Sequence, residues 1–326
     1  SQEERTTYAE AIYDRTLAAG SGQLTGGAAF REKQIEGAPY WSGSLPTFLG
    51  QDNTFDTLPI VTQADYDTRL WSVFGQYRHK LGAVDLWAGV RFDEHKDYES
   101  HLSYNLGISW SPDDQWIVKL LHGTAYRTPY AQQLLQTEEP EPENIQSYDV
   151  QLLWKPNKRV EISTTGFFSE IDDHIVEDPY AGTEFSLPNK QRLYGFEFMG
   201  ILKPIDDLEI SANWTYVENE GPNERYHYND YDYISEDGTL IPHFIDREYP
   251  YSAGPDHLFH LSGRWNPTRR ISLFAGLGYN AEQRMTEVQG GGSRWLSETV
   301  DLNLSLLIRD WLIRSSEIRF SGRNLT

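Results

Sequence analysis

Several features are scarce in this chain of 326 residues, and their scarcity limits what it can be. There is no cysteine, so no disulfide framework holds the chain together, and there are only two methionines. No apolar run approaches the roughly 18 residues expected of a transmembrane helix. Basic residues are few: 28 Lys and Arg stand against 49 Asp and Glu, and the net charge of -21 disfavours nucleic acid as a partner.

The chain also lacks the sequence signatures of common enzymes and of secretion signals. It has no G-x-S-x-G elbow and no Walker A motif, so we expect no enzyme. The first residues, Ser1 to Tyr8, have neither the basic region nor the apolar core of a signal peptide. We therefore expect a mature chain or an internal piece of a longer one.

What the sequence does have is alternation of apolar and polar residues. One alternating apolar series comprises Leu208, Ile210, Ala212, Trp214 and Tyr216. A second runs from Val300 to Ile308, broken only by Leu307. Successive side chains of a β-strand point to opposite faces, so each segment predicts a strand with one apolar and one polar face.

Strand length and connection length together indicate a membrane barrel. Many strands are near ten residues or longer, and pairs of them are joined by short proline-containing turns at Trp110-Ser-Pro-Asp-Asp, Trp154-Lys-Pro-Asn-Lys, Lys203-Pro-Ile-Asp-Asp and Trp265-Asn-Pro-Thr-Arg. Long acidic, Tyr-rich loops lie at the opposite end. This pattern is typical of an antiparallel transmembrane β-barrel of the outer membrane. A soluble sandwich or propeller is the competing interpretation, with shorter strands expected.

A low mean hydropathy of -0.61 is compatible with a barrel, because half of each strand faces a polar lumen. The pattern predicts about fourteen strands, approximately at 5–17, 22–35, 68–81, 83–97, 100–111, 115–127, 145–156, 159–176, 191–204, 207–219, 257–267, 269–283, 297–309 and 314–325. The long loops are then 36–67, 128–144, 177–190, 220–256 and 284–296. One helical turn is predicted at Tyr130 to Leu135.

Tryptophans flank the predicted short turns: Trp110, Trp116, Trp154, Trp265 and Trp311. Tryptophan is favoured at membrane interfaces, where its ring is half in lipid and its N–H reaches water. We therefore expect the short turns on the periplasmic side and the long loops outside the cell.

Five segments resemble, in order and spacing, motifs of the TonB-dependent outer-membrane receptors. They are His122-Gly-Thr-Ala-Tyr-Arg-Thr-Pro-Tyr, Glu141-Pro-Glu-Asn-Ile-Gln-Ser-Tyr-Asp-Val, Phe167-Phe-Ser-Glu-Ile-Asp-Asp-His-Ile, Asn189-Lys-Gln-Arg-Leu-Tyr-Gly-Phe-Glu-Phe and Gly322-Arg-Asn-Leu-Thr. Asp149 and Gln151 depart from the family's Glu and Gly. The resemblance covers roughly residues 68–326.

The resemblance implies a 22-stranded barrel, filled by an N-terminal plug and energised by the TonB–ExbB–ExbD complex. No plug sequence, TonB box or closing strand is recognisable here. We expect residues 1–326 to be part of one transmembrane barrel domain, corresponding to the later strands of such a barrel. A smaller barrel closed on itself is the alternative.

Two groups of residues are candidates for ligand binding. Arg127 and Tyr130 are candidates to point into the ligand vestibule, since an arginine beside aromatic rings suits carboxylate or phosphate groups. The alternative is that Arg127 only anchors the next loop. In loop 220–256, Tyr226, Tyr228, Tyr231 and Tyr233 are candidates to stack on a planar or sugar-like ligand. The alternatives are a self-packed loop and contact with lipopolysaccharide.

Metal binding has weaker support. Two acidic runs are candidates for Ca²⁺ binding: Asp172, Asp173, Glu177, Asp178 and Asp230, Asp232, Glu236, Asp237. Neither run has the spacing of an EF-hand, and a solvated acidic surface is the alternative. The scattered histidines, His122, His174, His227, His243, His257 and His260, match no metal-site spacing. We expect no catalytic residue, no resident metal and no cofactor, with Ca²⁺ at the acidic loops left open.

The sequence therefore predicts an outer-membrane receptor of a Gram-negative bacterium that imports a scarce small molecule. A metal chelate such as a siderophore, a cobalamin-like cofactor and a glycan all remain open as the ligand. The expected partners are the TonB–ExbB–ExbD complex and the lipopolysaccharide-containing outer membrane, and no nucleic acid. The alternative is a passive porin-like or adhesin-like barrel, which a plug and a TonB box in the full gene would exclude.

Overall fold

The computed structural model describes residues 3–17, 21–41, 61–128, 141–176, 186–234, 240–249, 254–286, 293–311 and 313–326. Regular secondary structure in these ranges consists of β-strands. The strands are β1 (Glu3–Thr16), β2 (Gly22–Trp41), β3 (Val61–Leu81), β4 (Val84–His95), β5 (His101–Trp110), β6 (Trp116–Arg127), β7 (Glu143–Asn157), β8 (Val160–His174), β9 (Asn189–Ile205), β10 (Leu208–Glu220), β11 (Glu224–Ile234), β12 (Leu240–Tyr249), β13 (His257–Thr268), β14 (Ile271–Asn280), β15 (Gln283–Thr286), β16 (Ser293–Leu296), β17 (Thr299–Arg309) and β18 (Glu317–Gly322).

Fourteen of these strands form one antiparallel sheet. Its order follows the chain from β1 to β10 and continues through β13, β14 and β17 to β18. These fourteen strands correspond one to one to the fourteen predicted from alternation, so the all-β antiparallel fold class is confirmed. Within the described ranges, no helix has the length and apolar character needed to span a bilayer.

The predicted loops are more structured than the sequence indicated. Within loop 220–256, β11 and β12 form a separate two-stranded hairpin, and within loop 284–296 β15 and β16 form another. The predicted loop 36–67 was too long, because β2 continues to Trp41 and β3 already begins at Val61. A register shift between Ile35 and Ala38 interrupts the alternation there, which explains why the pattern was missed. The predicted helical turn at residues 130–135 lies outside the described residues.

Most of the short turns are tight, and Pro156, Pro204 and Pro267 lie in the strands beside them, whereas Pro112 lies in the connection between β5 and β6. Only two residues separate β3 from β4, β7 from β8, β9 from β10 and β13 from β14. In the first of these turns Gly82 has φ of 58°, a left-handed conformation that suits glycine. Pro156 and Pro267 fall within register shifts at the ends of β7 and β13, where a missing N–H costs no regular ladder bond.

The two faces of the sheet differ in polarity. On β4, Leu86, Val90 and Phe92 are 36%, 49% and 43% exposed, and the paired residues of Phe92 and Val90 on β5, Leu102 and Tyr104, share this apolar face. The charged residues of β4 lie at intervening positions, as in the ion pair of Arg91 Nε with Asp93 Oδ2 at 2.8 Å. The apolar side chains therefore point outward to lipid and the charged ones inward, as expected for a barrel wall.

Little of the apolar surface is buried by protein. Among the described residues the buried hydrophobic side chains are Ala29, Ile35, Tyr226 and Tyr249. The only packed cluster among them joins Tyr226 and Tyr249 to the partly buried Val176 and Ile245. A single sheet without an internal core is stable when lipid covers its apolar face, since lipid removes that face from water as a core would.

The predicted tryptophan belt lies at the short-turn end. Trp110 ends β5, Trp116 begins β6, and the ring of Trp116 stacks on that of Trp154 with centroids 5.5 Å apart. Trp110, Trp265 and Trp311 are 48%, 46% and 58% exposed. Their half-exposed rings at one end of the strands agree with an interfacial position.

Candidate functional site

Arg127, the first predicted ligand-binding residue, ends β6 on the long-loop side of the sheet. Its guanidinium forms an ion pair with the buried carboxylate of Glu143, and its Nη2 donates to the carbonyl oxygen of Ile175 at 2.7 Å. Arg127 thus ties the end of β6 to the start of β7 and to the residue that follows β8. These contacts are of the anchoring kind that is the alternative to ligand binding for Arg127.

Glu143 is the centre of this contact and was not predicted. It is the first residue of β7 and is 5% exposed. Besides Arg127, it accepts a hydrogen bond from the Ile175 N–H at 2.8 Å, and His174 Nδ1 lies 3.5 Å from the same carboxylate. Burial pushes the pKa of Glu143 up, but the adjacent His174 imidazole, the hydrogen bond from the Ile175 N–H and the Arg127 guanidinium outweigh burial and hold this pKa below its ordinary value.

The cluster continues from β8 into the segment before β9. The Val176 N–H donates to the Ser186 hydroxyl at 3.0 Å, and the Ser186 N–H donates to the Val176 carbonyl at 2.9 Å. The next N–H, that of Leu187, donates to the carbonyl oxygen of Arg225 at 2.7 Å. These backbone contacts join the end of β8 to the first residues of the β11–β12 hairpin.

Glu224, the first residue of β11, is a second buried carboxylate and is 6% exposed. It accepts hydrogen bonds from Asn189 Nδ2 at 2.9 Å and Gln191 Nε2 at 3.4 Å, while Gln191 Nε2 also donates to Asn189 Oδ1 at 2.6 Å. Burial raises the pKa of Glu224 above its ordinary value, although hydrogen bonds from Ser186 and Asn189 oppose the rise. Glu143 and Glu224 lie at strand starts on the long-loop side, outside the membrane-spanning part.

Tyr226, the second predicted site residue with a described side chain, lies at the base of the hairpin. It is 2% exposed and makes an edge-to-face contact with Tyr249, with ring centroids 5.5 Å apart. Val176 packs against this pair, and it directly follows Ile175, whose carbonyl binds Arg127. The structure therefore brings Arg127 and Tyr226 into one continuous cluster, although they are far apart in sequence. Whether either contacts a ligand stays a prediction.

We call this group of residues the rim cluster: Arg127, Glu143, His174, Ser186, Asn189, Gln191, Glu224, Tyr226 and Tyr249. It joins the ends of β6, β7, β8 and β9 to the base of the hairpin. Because its two carboxylates, Glu143 and Glu224, are buried and hydrogen-bonded, it holds the hairpin in a defined orientation on the barrel rim.

Tyr130 lies outside the described residues, and Tyr228, Tyr231 and Tyr233 have only their backbone described. The backbones of Tyr228, Tyr231 and Tyr233 belong to β11, and the four tyrosines of this strand pair in turn with Arg247, Ile245, His243 and Ile241. A register shift between Asn229 and Tyr231 makes this possible, because it places all four at every second pairing position despite their uneven spacing.

An exposed aromatic pair on the hairpin was also missed. The His227 ring stacks on that of Phe244 with centroids 4.9 Å apart and an angle of 8°, and His227 Nδ1 lies 2.7 Å from Asp246 Oδ1. Phe244 is 51% exposed. Only the pairing of β11 with β12 brings these residues together, so neither segment alone could have indicated the pair. Flat exposed rings of this kind can stack on a planar ligand.

The acidic residues considered for Ca²⁺ do not assemble into a site where they are described. Asp172 forms an ion pair with Lys190 at 2.9 Å. Side chains of the other run, and Glu177 and Asp178, lie outside the described residues. In the part of the chain that is described, no group of three or more His, Asp or Glu side chains has the geometry to hold a metal ion.

Solved structures similar to this chain include a ferric enterobactin receptor and an iron transporter. A ferric enterobactin receptor from Pseudomonas aeruginosa matches with a TM-score of 0.70 and 17% identity, over 99% of this chain and 48% of the receptor. The FrpB iron transporter from Neisseria meningitidis matches with a TM-score of 0.71 and 14% identity, over 99% of this chain and 51% of the transporter. At this identity the likeness shows the fold alone.

Sequence comparisons point the same way. An iron-regulated outer membrane virulence protein from Vibrio cholerae is 23% identical over 250 residues, which cover 68% of this chain and 34% of that protein. The chain thus spans about a third of that relative's length and about half the length of the receptors above. The family model described as TonB dependent receptor-like, beta-barrel, matches residues 2–325. The chain therefore belongs to the TonB-dependent receptor β-barrel family of the Gram-negative outer membrane.

Proposed function

We propose that this chain forms part of the wall, and a ligand-capturing hairpin, of a receptor that actively imports a metal chelate across the outer membrane. The observation that carries the proposal is the rim cluster together with the β11–β12 hairpin it holds. A passive pore needs no buried ion network to orient an external hairpin, whereas a binding surface gains affinity when it is held in place before the ligand arrives.

A metal chelate is the ligand class we favour over a cobalamin-like cofactor or a glycan. Its first support is external: receptors of the same fold are described as ferric enterobactin and ferric-catecholate receptors. Its second is the hairpin itself, where the exposed Phe244 and its stacked partner His227 offer flat surfaces to an aromatic chelator.

The chemistry of this function is binding and gating. The ligand would bind the outward-facing state, and engagement of the TonB–ExbB–ExbD complex would favour a state of lower affinity. Energy is needed because a ligand held tightly from outside is released only when its affinity for the protein falls. Lipopolysaccharide would surround the outer edge of the barrel.

Uptake of a radiolabelled ferric catecholate by cells that carry the intact protein tests the proposal. We expect saturable uptake that an uncoupler abolishes and that requires TonB. Deleting residues 220–256 should abolish binding while the barrel still folds, because surface loops contribute little to strand pairing. Deleting residues 284–296, which removes the other hairpin, is the matched control and should preserve binding.

A passive porin-like or adhesin-like barrel predicts different results. A porin would pass small solutes at a rate proportional to their gradient, with or without the uncoupler. An adhesin would bind cells or surfaces without any uptake. Uncoupler-insensitive, non-saturable transport would therefore refute active import.

A further inference from the structure

A histidine interrupts the apolar outer face of the sheet. His122 of β6 pairs in register with Leu106 of β5, and Leu106 pairs with Ala88 of β4. Ala88 lies between Leu86 and Val90, which belong to the lipid-facing side of β4, so the His122 side chain also faces lipid. Ionisable side chains are costly in lipid, and where they occur they commonly have a function.

The surroundings of His122 do not depend on the lumen or on the edges of the sheet. The strands β4, β5, β6 and β7 each have a hydrogen-bonded neighbour on both sides. Their outer face points away from the lumen, so a plug domain inside the barrel and further strands beyond β1 and β18 leave this face in contact with lipid.

Both ring nitrogens of His122 have partners. Nδ1 lies 2.9 Å from the carbonyl oxygen of Ser147, and because a carbonyl only accepts, Nδ1 carries the hydrogen. Nε2 of the neutral ring is then an acceptor, and the Tyr104 hydroxyl donates to it at 3.2 Å. The ring also stacks on that of Tyr148, with centroids 4.2 Å apart. The Tyr104 hydroxyl thus spends its hydrogen on His122, and its oxygen remains able to accept one from the membrane side.

A groove of about 670 Å³ lies beside this pair on the same face. His122, Tyr148 and Ala88 line it, together with one row of apolar side chains across β4 to β7: Leu86, Ile108, Leu120 and Val150. This row lies one outward position nearer the short turns than His122 does. We call the groove the lipid-side groove. It offers polar atoms on the side of the long loops and an apolar surface on the side of the short turns.

The position of the polar atoms along the strands indicates one leaflet of the membrane. β6 runs from Trp116 near the short turns to Arg127 at the rim, and His122 lies in the half nearer the rim. A second polar pair in the groove, Tyr77 and His79, lies close to the β3–β4 turn, and its two side chains bond to each other at 3.1 Å. A lipid of the outer leaflet has its head group toward the long loops and its acyl chains toward the short turns. The polarity of the groove therefore matches an outer-leaflet lipid.

We propose that the lipid-side groove binds an acyl chain of lipopolysaccharide, and that the Tyr104 oxygen accepts a hydrogen bond from the head end of that chain. The lipid anchor of lipopolysaccharide carries hydroxylated and amide-linked acyl chains, whose O–H and N–H groups can donate. The ester oxygens of a diacyl phospholipid cannot donate, so they leave the Tyr104 oxygen unsatisfied. The groove volume falls within the range of about 300–1,000 Å³ found for small-molecule sites. This site is separate from ligand capture at the hairpin, and its failure leaves that proposal unaffected.

Retention of purified lipopolysaccharide by the intact, delipidated receptor in detergent tests this site. The receptor is incubated with increasing lipopolysaccharide and separated by size-exclusion chromatography, and hydroxy fatty acids in the receptor fraction are measured. We expect saturable binding. Tyr104→Phe removes one oxygen and should weaken binding about fivefold, the effect of one lost hydrogen bond. The matched control is Tyr279→Phe, which removes a hydroxyl from β14 outside the groove and should bind as the parent does.

A second variant and a second lipid keep the test decisive. Ala88→Phe fills the groove and leaves the Tyr104–His122 pair in place, so it should also weaken binding. Both substitutions make a lipid-facing position more apolar, which a barrel wall tolerates, and circular dichroism checks that the strands are kept. Absence of saturable binding to the parent, or parent-like binding by either variant, would overturn the proposal. Equal retention of phosphatidylethanolamine with the same loss in Tyr104→Phe would also overturn it, and would assign the groove to phospholipid.

Discussion

Glu143 and Glu224 at the long-loop end of the sheet are 5% and 6% exposed, whereas the ion pair of Arg159 and Asp206 at the short-turn end has side chains 60% and 93% exposed. The first end carries a folded hairpin, and the second carries short connections, four of which have only two residues. The two carboxylates are thus buried where an irregular element is held, and the Arg159–Asp206 pair is left in water where two-residue turns already define the backbone.

This difference separates two roles of charge. A buried carboxylate is costly unless hydrogen bonds satisfy it, so the rim cluster is stable in one arrangement and not in others. An exposed pair contributes little, because water and salt screen it. The long-loop end is therefore the end where buried charge fixes a specific geometry.

The largest expected difference between the two ends is accessibility from outside the cell. The chain has no cysteine, so a single introduced one reports its own position. Tyr231→Cys, on the hairpin, should react with a membrane-impermeant maleimide in intact cells. Asn157→Cys, at the end of β7, should react only after the outer membrane is permeabilised. The opposite labelling pattern would show that the short turns face outside, and the proposed difference between the two ends would be wrong.

A second prediction concerns the membrane that separates the two ends. Leu304 and Ser305 are neighbours on β17 that face opposite sides: Leu304 lies in register with Ala275, and the Ser305 hydroxyl lies 3.3 Å from that of Ser321 on the inner face. Leu304→Arg should lower the free energy of unfolding by about 2–4 kcal/mol if it lies near the bilayer midplane. Ser305→Arg should cost much less. Urea unfolding in lipid vesicles measures both, and equal costs would argue against a lipid-facing side.

The third prediction compares one arginine from each end. Arg127→Ala leaves the buried Glu143 with only His174 and the Ile175 N–H, so unfolding free energy should fall by about 2–3 kcal/mol. Arg159→Ala removes an exposed pair and should change it by about 0–1 kcal/mol. The same unfolding experiment applies to both. A similar loss at both sites would show that burial does not set the contribution of these charges.

The alternation of apolar and polar residues was enough to predict most of the strands. The series from Leu208 to Tyr216 needed no distant information, because one face meets lipid and the other the lumen along the whole strand. The β11–β12 hairpin was harder. Its segment was assigned to a loop because Tyr226 to Tyr233 is acidic and polar, and the register shift near Tyr231 breaks strict alternation.

The rim cluster was only partly predictable. Arg127 and Tyr226 were singled out, one from a motif and one from composition, but their link through Ile175 and Val176 depends on how four strand ends meet. Gln191 and Glu224 were not proposed at all. They lie 33 positions apart, and single polar residues give no local signal that they will be buried together.

The smallest expected effect is a pH dependence of hairpin docking, and Glu143 and Glu224 should drive it in opposite directions. Burial raises the pKa of Glu224 above its ordinary value of 4.5, so its contribution is fully present below pH 4.5 and is lost as pH rises through the raised pKa. The pKa of Glu143 is lowered, so its contribution is present above pH 4.5 and is lost as pH falls through the lowered pKa.

Docking should therefore be strongest in the window between these two pKa values and weaken above it. Hydrogen exchange of the β11–β12 amides, corrected for intrinsic rates, measures docking against pH. Glu224→Gln keeps a neutral hydrogen-bonding side chain, so its hairpin should remain protected as pH rises, while that of the parent loses protection. Glu143→Gln should instead reduce protection at neutral pH, since Arg127 loses its charged partner. If protection in the parent increased steadily with pH, Glu224 would not be held protonated by burial, and the rim cluster would owe its geometry to the Arg127–Glu143 pair alone.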